Sequence, residues 1–284
     1  MSGPRRIGEV SFWYRDIGGA PAQRPPLDGD CTADVCIVGA GYTGLWTAYY
    51  LKKADPSLNV VIVERNFAGF GASGRNGGWL TGGFAWNHGR YLKDSSESAV
   101  RAMVGAMNGT VAEVLRVTEA EGIEADILPT DELMVATNPA QLIRMKEETE
   151  HRRHWGEEDR VFEISAEEAN ARVRVPGTLG GMLVRGVARV QPAKLVRGLA
   201  AVVEKLGVRI AEGTTVTGLG KGEVTTDRGI VRAPIILRCT EGFTTTIPGE
   251  KRTWLPLNSA QIATAPLPPE VWAKIGWQGH EIFG

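Results

Sequence analysis

A chain of 284 residues with 43% hydrophobic content is long enough for one large domain or two, each with a core of its own. Its 32 basic and 33 acidic side chains leave a net charge of −1, which gives no electrostatic case for nucleic-acid or membrane-surface binding. No stretch approaches membrane-spanning length, and Arg5-Arg6 leads into polar Gly8 and Glu9 rather than the apolar run of a signal peptide.

Residues 1–33 carry Pro21, Pro25, Pro26 and Gly29, which predict an extended N-terminal arm, pinned to the body by Phe12, Trp13 and Tyr14. The run Asp34-Val-Cys-Ile-Val-Gly-Ala-Gly-Tyr-Thr-Gly44 then reads as a buried strand entering a Gly-x-Gly-x-x-Gly turn and a helix. Gly39 permits the tight turn, Gly41 lets the backbone approach a diphosphate, and Gly44 lets the helix pack closely on the strands. Leu45, Ala48 and Tyr49 fall at helical spacing and face the sheet. Twenty residues past Gly44, Asn59-Val-Val-Ile-Val-Glu64 is a second strand ending in an acid. This is a βαβ unit for a dinucleotide. Glu64 can accept hydrogen bonds from two ribose hydroxyls, and its charge disfavours a 2′-phosphate, so FAD or NAD is the expected ligand.

A second glycine-rich loop, 68–80, follows, in which backbone N–H groups, Ser73 and Arg75 can serve further phosphate oxygens. Asp94 to Glu97 resembles a capping box for a helix with Val100, Val104 and Val111 on one face, ended by Gly122. Strands are predicted over 126–128 and 132–136, a charged helix from Pro139 to about Trp155, and a short helix capped by Ser165 and Glu168. His151 and His154 lie three apart on the charged helix and read as a solvated face rather than a metal site; His88 reads as a hydrogen-bonded structural histidine. A strand over 181–190, a helix from Pro192 to Gly207 and a strand over 208–210 form a second strand–helix–strand unit. A β-meander over 214–219, 223–226 and 229–232, a return strand over 234–239 and a last strand over 259–265 complete the pattern. The three cysteines, Cys31, Cys36 and Cys239, lack metal-ligand spacing and are expected as free thiols in a reducing, cytoplasmic compartment.

Residues 34–44 with Glu64, then Gly71-Ala-Ser-Gly-Arg-Asn-Gly-Gly78, then Val190-Gln-Pro-Ala-Lys-Leu-Val196, resemble the FAD-dependent D-amino-acid oxidase and glycine oxidase (DAO) superfamily. Within it they are most similar to the amine-oxidising branch that includes gamma-glutamylputrescine oxidoreductase. The resemblance implies an α/β (α+β) fold: a Rossmann-like FAD/NAD(P)-binding domain with an interleaved substrate domain. The FAD-binding part would comprise 34–125 and 187–250, and the substrate domain 126–186 and 251–284. The family's last section, a further glycine-rich stretch closing over the flavin ring, has no counterpart before Gly284, so the fold is expected to be C-terminally incomplete.

On matching positions the resemblance implies non-covalent FAD, with Gly39, Gly41 and Gly44 around the diphosphate, Glu64 on the adenosine ribose and Arg65 near the adenine. Ala72, Ser73 and Arg75 would follow the diphosphate and ribityl chain. Asn76, Gly77 and Gly78 would lie beside the isoalloxazine ring, Val216 would contact adenine through its backbone, and Thr240 would pass the diphosphate. Asn76 and Trp79 are the candidates to touch substrate; no acid–base residue and no metal is assigned. The implied reaction oxidises the C–N bond of an amine or amino acid by hydride transfer to flavin N5, giving an imine that water hydrolyses, with oxygen as the expected electron acceptor. The alternatives are a catalytically incomplete dinucleotide-binding fragment and a NAD-linked dehydrogenase, the latter leaving the 71–78 loop unexplained.

Overall fold

A computed structural model describes residues 11–83, 87–257 and 259–284. The Arg5-Arg6 pair and the first ten residues of the expected arm lie outside the described residues. The chain divides into two compact units: residues up to Gly77 with 123–125 and 191–262, and residues 78–122, 126–190 and 263–284.

In the first unit, Val35–Val38 and Val60–Val63 are apolar runs buried at every position, as parallel strands covered on both faces must be. They pair in parallel, with Ile235–Arg238 on the outer side of the first and Arg209–Ala211 on the outer side of the second. Alternation then divides their side chains. Cys36, Val38, Val61 and Val63 meet Leu27, Val224 and Val231 in one core. That core is closed by a second sheet, ordered Cys31–Thr32, Gly229–Arg232, Glu223–Thr226, Val216–Gly220. Ile37 points the other way, against the helix Tyr42–Ala54, whose Leu45, Ala48 and Tyr49 are buried. The helix Pro192–Lys205 packs beside it with Leu195, Val196, Leu199 and Val203 inward, and Gly207 (φ +90°) ends the segment.

The return strand carries polar Arg238 and an exposed Ile235 because it is the edge of the sheet; Arg238 is ion-paired with Glu250 at 3.0 Å. Within the arm, Phe12–Asp16 turns into a short helix rather than staying extended. Its Tyr14 is buried with Phe67 and Ala193, and its hydroxyl donates to the Gly69 carbonyl at 2.9 Å.

In the second unit the long strand Gly180–Arg189 runs antiparallel to Leu128–Ala136. Val161–Ile164 pairs with its first half, Trp79–Leu80 with its last residues, and Ile282–Phe283 lies parallel to Glu132 and Leu133. The two short strands expected over 126–136 are therefore one, interrupted by a register shift between Thr130 and Glu132. That irregularity stands next to Pro129, which has no N–H for the ladder. The helix Glu97–Ala120 belongs to this unit, whereas the sequence grouped it with the FAD-binding part; its Val100 and Val104 pack with Trp155. Ser96, not Asp94, caps it, accepting from Ala99 N at 3.2 Å. Ser165 and Glu168 do form a capping box. The strand expected over 259–265 does not form: the segment is irregular and Ile262 is 98% exposed. With one large aliphatic side chain, it offers no apolar row to bury.

Candidate cofactor site

The site grows out of the turn after Val35–Val38. Gly39 has φ +106°, a conformation open to glycine, and a β-carbon there would stand 2.5 Å from the Cys239 carbonyl oxygen. Two parallel strands thus converge at their carboxyl ends on one glycine. Gly41 is the helix N-cap and has no side chain to satisfy the first N–H groups of Tyr42–Ala54. One of them is taken from outside the helix: Tyr42 N donates to Ser73 Oγ at 2.9 Å. A β-carbon on Gly41 would stand 3.0 Å from that same Oγ. Gly44 sits lower, against Gly39 O and Ile37 Cγ2, and sets how closely helix and strand approach.

A cavity of about 210 Å³ opens over this turn. Gly39, Gly41, Glu64, Arg65, Ala72, Ser73, Val216 and Thr240 all line it. Gly44 lies beneath it and works through packing. Arg75 and Asn76 are used inside their own loop: Arg75 Nε donates to Gly71 O at 3.3 Å, and Asn76 Nδ2 to Ala72 O and Ser73 O at 3.2 and 3.0 Å. Asn76 O accepts from Trp13 Nε1 at 2.7 Å, which ties the arm to the loop. Gly77 closes the first unit; Gly78 and Trp79 belong to the second, where Trp79 is half-exposed on its short strand opposite Arg189.

Glu64 ends its strand with both carboxylate oxygens engaged, Oε2 accepting from Ala40 N at 3.0 Å and Oε1 from Asn66 N at 2.8 Å. Each oxygen retains a lone pair for a further donor. Burial raises the carboxyl above its ordinary range, the two backbone donors pull it back, and the nearby Glu212 charge raises it further. Glu212 is fully buried behind the cavity and holds three residues: it accepts from Arg24 N at 2.7 Å and Ala68 N at 2.8 Å, and from the guanidinium groups of Arg24 and Arg197 at 2.9 and 3.2 Å.

The donor set fits the adenosine diphosphate half of FAD. Helix-start N–H groups and a serine hydroxyl suit phosphate oxygens, a carboxylate with spare lone pairs suits ribose hydroxyls, and the two glycines leave the approach that a β-carbon would fill.

Residues 34–283 match the profile of the family described as FAD dependent oxidoreductase, DAO. The chain belongs to that family. It is 32% identical over 233 residues to the gamma-glutamylputrescine oxidoreductase of Escherichia coli (strain K12), covering 78% of this chain and 54% of that relative. Among solved structures, the L-proline dehydrogenase from P. horikoshii superposes with a TM-score of 0.62 at 19% identity, covering 80% of this chain and 56% of that one. The glycine oxidase from Geobacillus kaustophilus gives 0.58 at 22% identity, covering 73% and 55%. The chain spans about half the length of these relatives. The Rossmann-like fold expected from the glycine turn is thereby shared with DAO-type proteins.

Sequence reasoning missed Asn66, Phe70, Phe243 and Thr246 on the cavity wall, and Glu212 behind it. Asn66 and Phe70 follow Glu64 closely and could have been read from the chain's need to turn there; the others carry no periodic signal. In the second unit, buried His88 stacks on Trp155 at 5.0 Å, and its Nδ1 lies 3.0 Å from His151 Nε2. Burial pushes the His88 pKa down and His151 adds to it. No group of three or more His, Cys, Asp or Glu among the described residues could hold a metal. No helix among them is long and apolar enough to cross a membrane.

Proposed function

We propose that the first unit binds FAD non-covalently at this cavity and that the protein oxidises the C–N bond of a primary or secondary amine or an amino acid. One observation carries the reading: the helix start with Gly39 and Gly41, the Ser73 hydroxyl and the Glu64 carboxylate all line one cavity. FAD held there would supply an electron sink at N5 for the hydride on the carbon that bears the nitrogen, leaving an imine for water to hydrolyse.

The chain's own residues hold and orient. The Gly39–Thr43 backbone and Ser73 bind the diphosphate, Glu64 accepts from the ribose hydroxyls, and Val216 and Arg65 flank the base. Thr240 closes on the diphosphate from the return strand. Gly77 and Gly78 leave room along the flavin ring, Asn76 braces the loop, and Trp79 is the substrate-facing candidate. The second unit is the substrate domain. Similarity to an enzyme named for an amine over 78% of this chain supports the substrate class, a small amine or amino acid; oxygen is the acceptor proposed with it. Three free cysteines support a cytoplasmic location.

The test is a visible spectrum of the purified chain before and after incubation with FAD, followed by a panel of amines with peroxide readout. A flavin spectrum and peroxide with an amine are expected. A preparation that stays colourless after incubation with FAD overturns the cofactor reading; NADH binding without flavin binding would favour a dehydrogenase.

A further inference from the structure

Beside Glu64, cations and rings alternate along the cavity. The Arg65 guanidinium lies over the Phe243 ring, 5.2 Å from its centroid. The Phe243 and Phe70 rings are 6.3 Å apart and inclined at 41°, and the Arg75 guanidinium lies over Phe70 at 5.0 Å. Arg65, Phe70 and Phe243 all line the cavity.

Phe243 is held in place by its turn. It lies in the short helix Glu241–Thr246, its N–H donates to Thr240 O at 2.9 Å, and the hydroxyls of Thr240 and Thr244 share a 2.7 Å hydrogen bond. Glu241 enters this turn at φ +43°, a left-handed conformation that a non-glycine residue keeps only where its surroundings impose it. Behind the ring is Gly71, where a β-carbon would stand 3.3 Å from Phe243 Cε2. The ring is therefore fixed, yet 37% of the residue stays exposed.

Arg65 directly follows the carboxylate that suits the ribose and lines the same cavity, which puts it within reach of a base attached to that ribose. A guanidinium is flat and has two faces; the Arg65 guanidinium lies over the Phe243 ring, and Arg65 is exposed, so it stays open to a second ring. We propose that Phe243 is a positioning residue for the purine: it holds the Arg65 guanidinium so that adenine stacks on the opposite face, in the order adenine, Arg65, Phe243. The inference rests on the adenine-dinucleotide reading of the site and adds the group that makes Arg65 selective for a base.

The experiment is calorimetric titration of the full chain with FAD and, separately, with AMP, in wild type, Phe243→Leu, Phe243→Tyr, Arg65→Ala and the Phe243→Leu/Arg65→Ala double variant. Thermal melts check folding. Phe243→Leu is expected to weaken both ligands about tenfold. Phe243→Tyr restores binding, and the leucine change adds nothing once Arg65 is gone. Wild-type affinity in Phe243→Leu, or a full further loss in the double variant, overturns the proposal; if Phe243→Leu fails to fold, the Arg65→Ala and Phe243→Tyr titrations decide it, with unchanged binding in Arg65→Ala or tenfold loss in Phe243→Tyr counting against. Wild type that binds AMP but not FAD defeats the flavin reading and leaves this one to be read from AMP; binding of neither defeats both.

Discussion

A β-carbon on Gly44 would collide with the carbonyl oxygen of Gly39, five residues earlier, and would stand 3.1 Å from Ile37 Cγ2. Both obstacles belong to the strand and turn, so neither can swing aside. Gly41 differs: its β-carbon would meet Ser73 Oγ at 3.0 Å, a side-chain atom at the edge of the cavity. Gly44→Ala is therefore expected to lower folding stability by about 1–3 kcal/mol, the usual cost of overpacking. Gly41→Ala should change stability by less than about 1 kcal/mol and weaken FAD at least about tenfold, because its methyl occupies ligand space. Urea unfolding and FAD titration of both variants separate the effects. Equal losses of stability would contradict the division of labour.

Glu64 makes stability depend on pH in a direction opposite to an ordinary paired carboxylate. Burial raises its pKa in the folded state, with Ala40 N and Asn66 N only partly compensating. A group with a raised folded pKa takes up a proton on folding. Its contribution is fully present below the unfolded value, about 4.3, and is lost as pH rises through the folded pKa. Glu64→Gln removes that dependence. The stability of Glu64→Gln minus that of wild type should therefore increase as pH rises from about 4 through the raised pKa, measured by urea midpoints. FAD affinity should move the other way in wild type, growing with pH as the carboxylate gains its acceptor capacity. A constant stability difference across that range would rule out the raised pKa.

What was legible in the sequence was what a backbone demands of residue type at fixed spacing. Gly39 needs positive φ, Gly44 needs the absence of a side chain, and Val35–Val38 needs apolar residues on both faces; each demand is local. Glu212 was illegible because its partners are scattered: Arg24 lies 188 residues away and Ala68 144. Phe243 escaped for a similar reason, since its meaning depends on Arg65 and Phe70 meeting it across the cavity. Ser96 and Asp94 are both plausible caps, and hydroxyl reach to Ala99 N decided between them. The strand over 259–265 failed because Ile262 is its one large aliphatic side chain, which leaves no apolar row to bury.

The second unit has a buried ion pair whose removal should be costly. Arg152 Nε and Nη2 each donate at 2.8 Å to the two oxygens of Glu157, and Asn108 Nδ2 adds a third bond at 3.1 Å. Burial tends to raise the Glu157 pKa, but the Arg152 guanidinium and the Asn108 amide outweigh it and hold the carboxyl below its ordinary value. Glu157→Gln should cost about 3 kcal/mol at neutral pH, since it leaves the largely buried Arg152 guanidinium without the carboxylate it is hydrogen-bonded to. The sign with pH follows: a depressed pKa contributes stability above the unfolded value that is lost as pH falls through the folded one. The gap between wild type and Glu157→Gln should thus shrink below about pH 4.3. Chemical denaturation of both proteins at several pH values checks this, and a gap that widens on acidification would refute it.

Ser73 ties the helix start to the second glycine-rich loop, beside the bond from Gly69 N to Ala40 O at 3.0 Å that joins the same loop to the turn. Its Oγ accepts from Tyr42 N at 2.9 Å, which leaves the hydroxyl hydrogen for a donor role toward the cavity that Ser73 lines. A phosphate there would receive a charge-assisted bond, worth about 1.5–3 kcal/mol. Ser73→Ala should therefore cost about 1 kcal/mol of stability through the orphaned Tyr42 N–H, and weaken FAD by about ten- to a hundredfold. Ser73→Thr keeps the hydroxyl and should recover most of the affinity, which a loss due to general loosening of the loop would not. Titration with FMN gives a second control: it lacks the adenosine phosphate, so its binding should respond less to the alanine change. If Ser73→Ala binds FAD as tightly as wild type, the hydroxyl serves the helix alone and the diphosphate must be held by the turn's backbone.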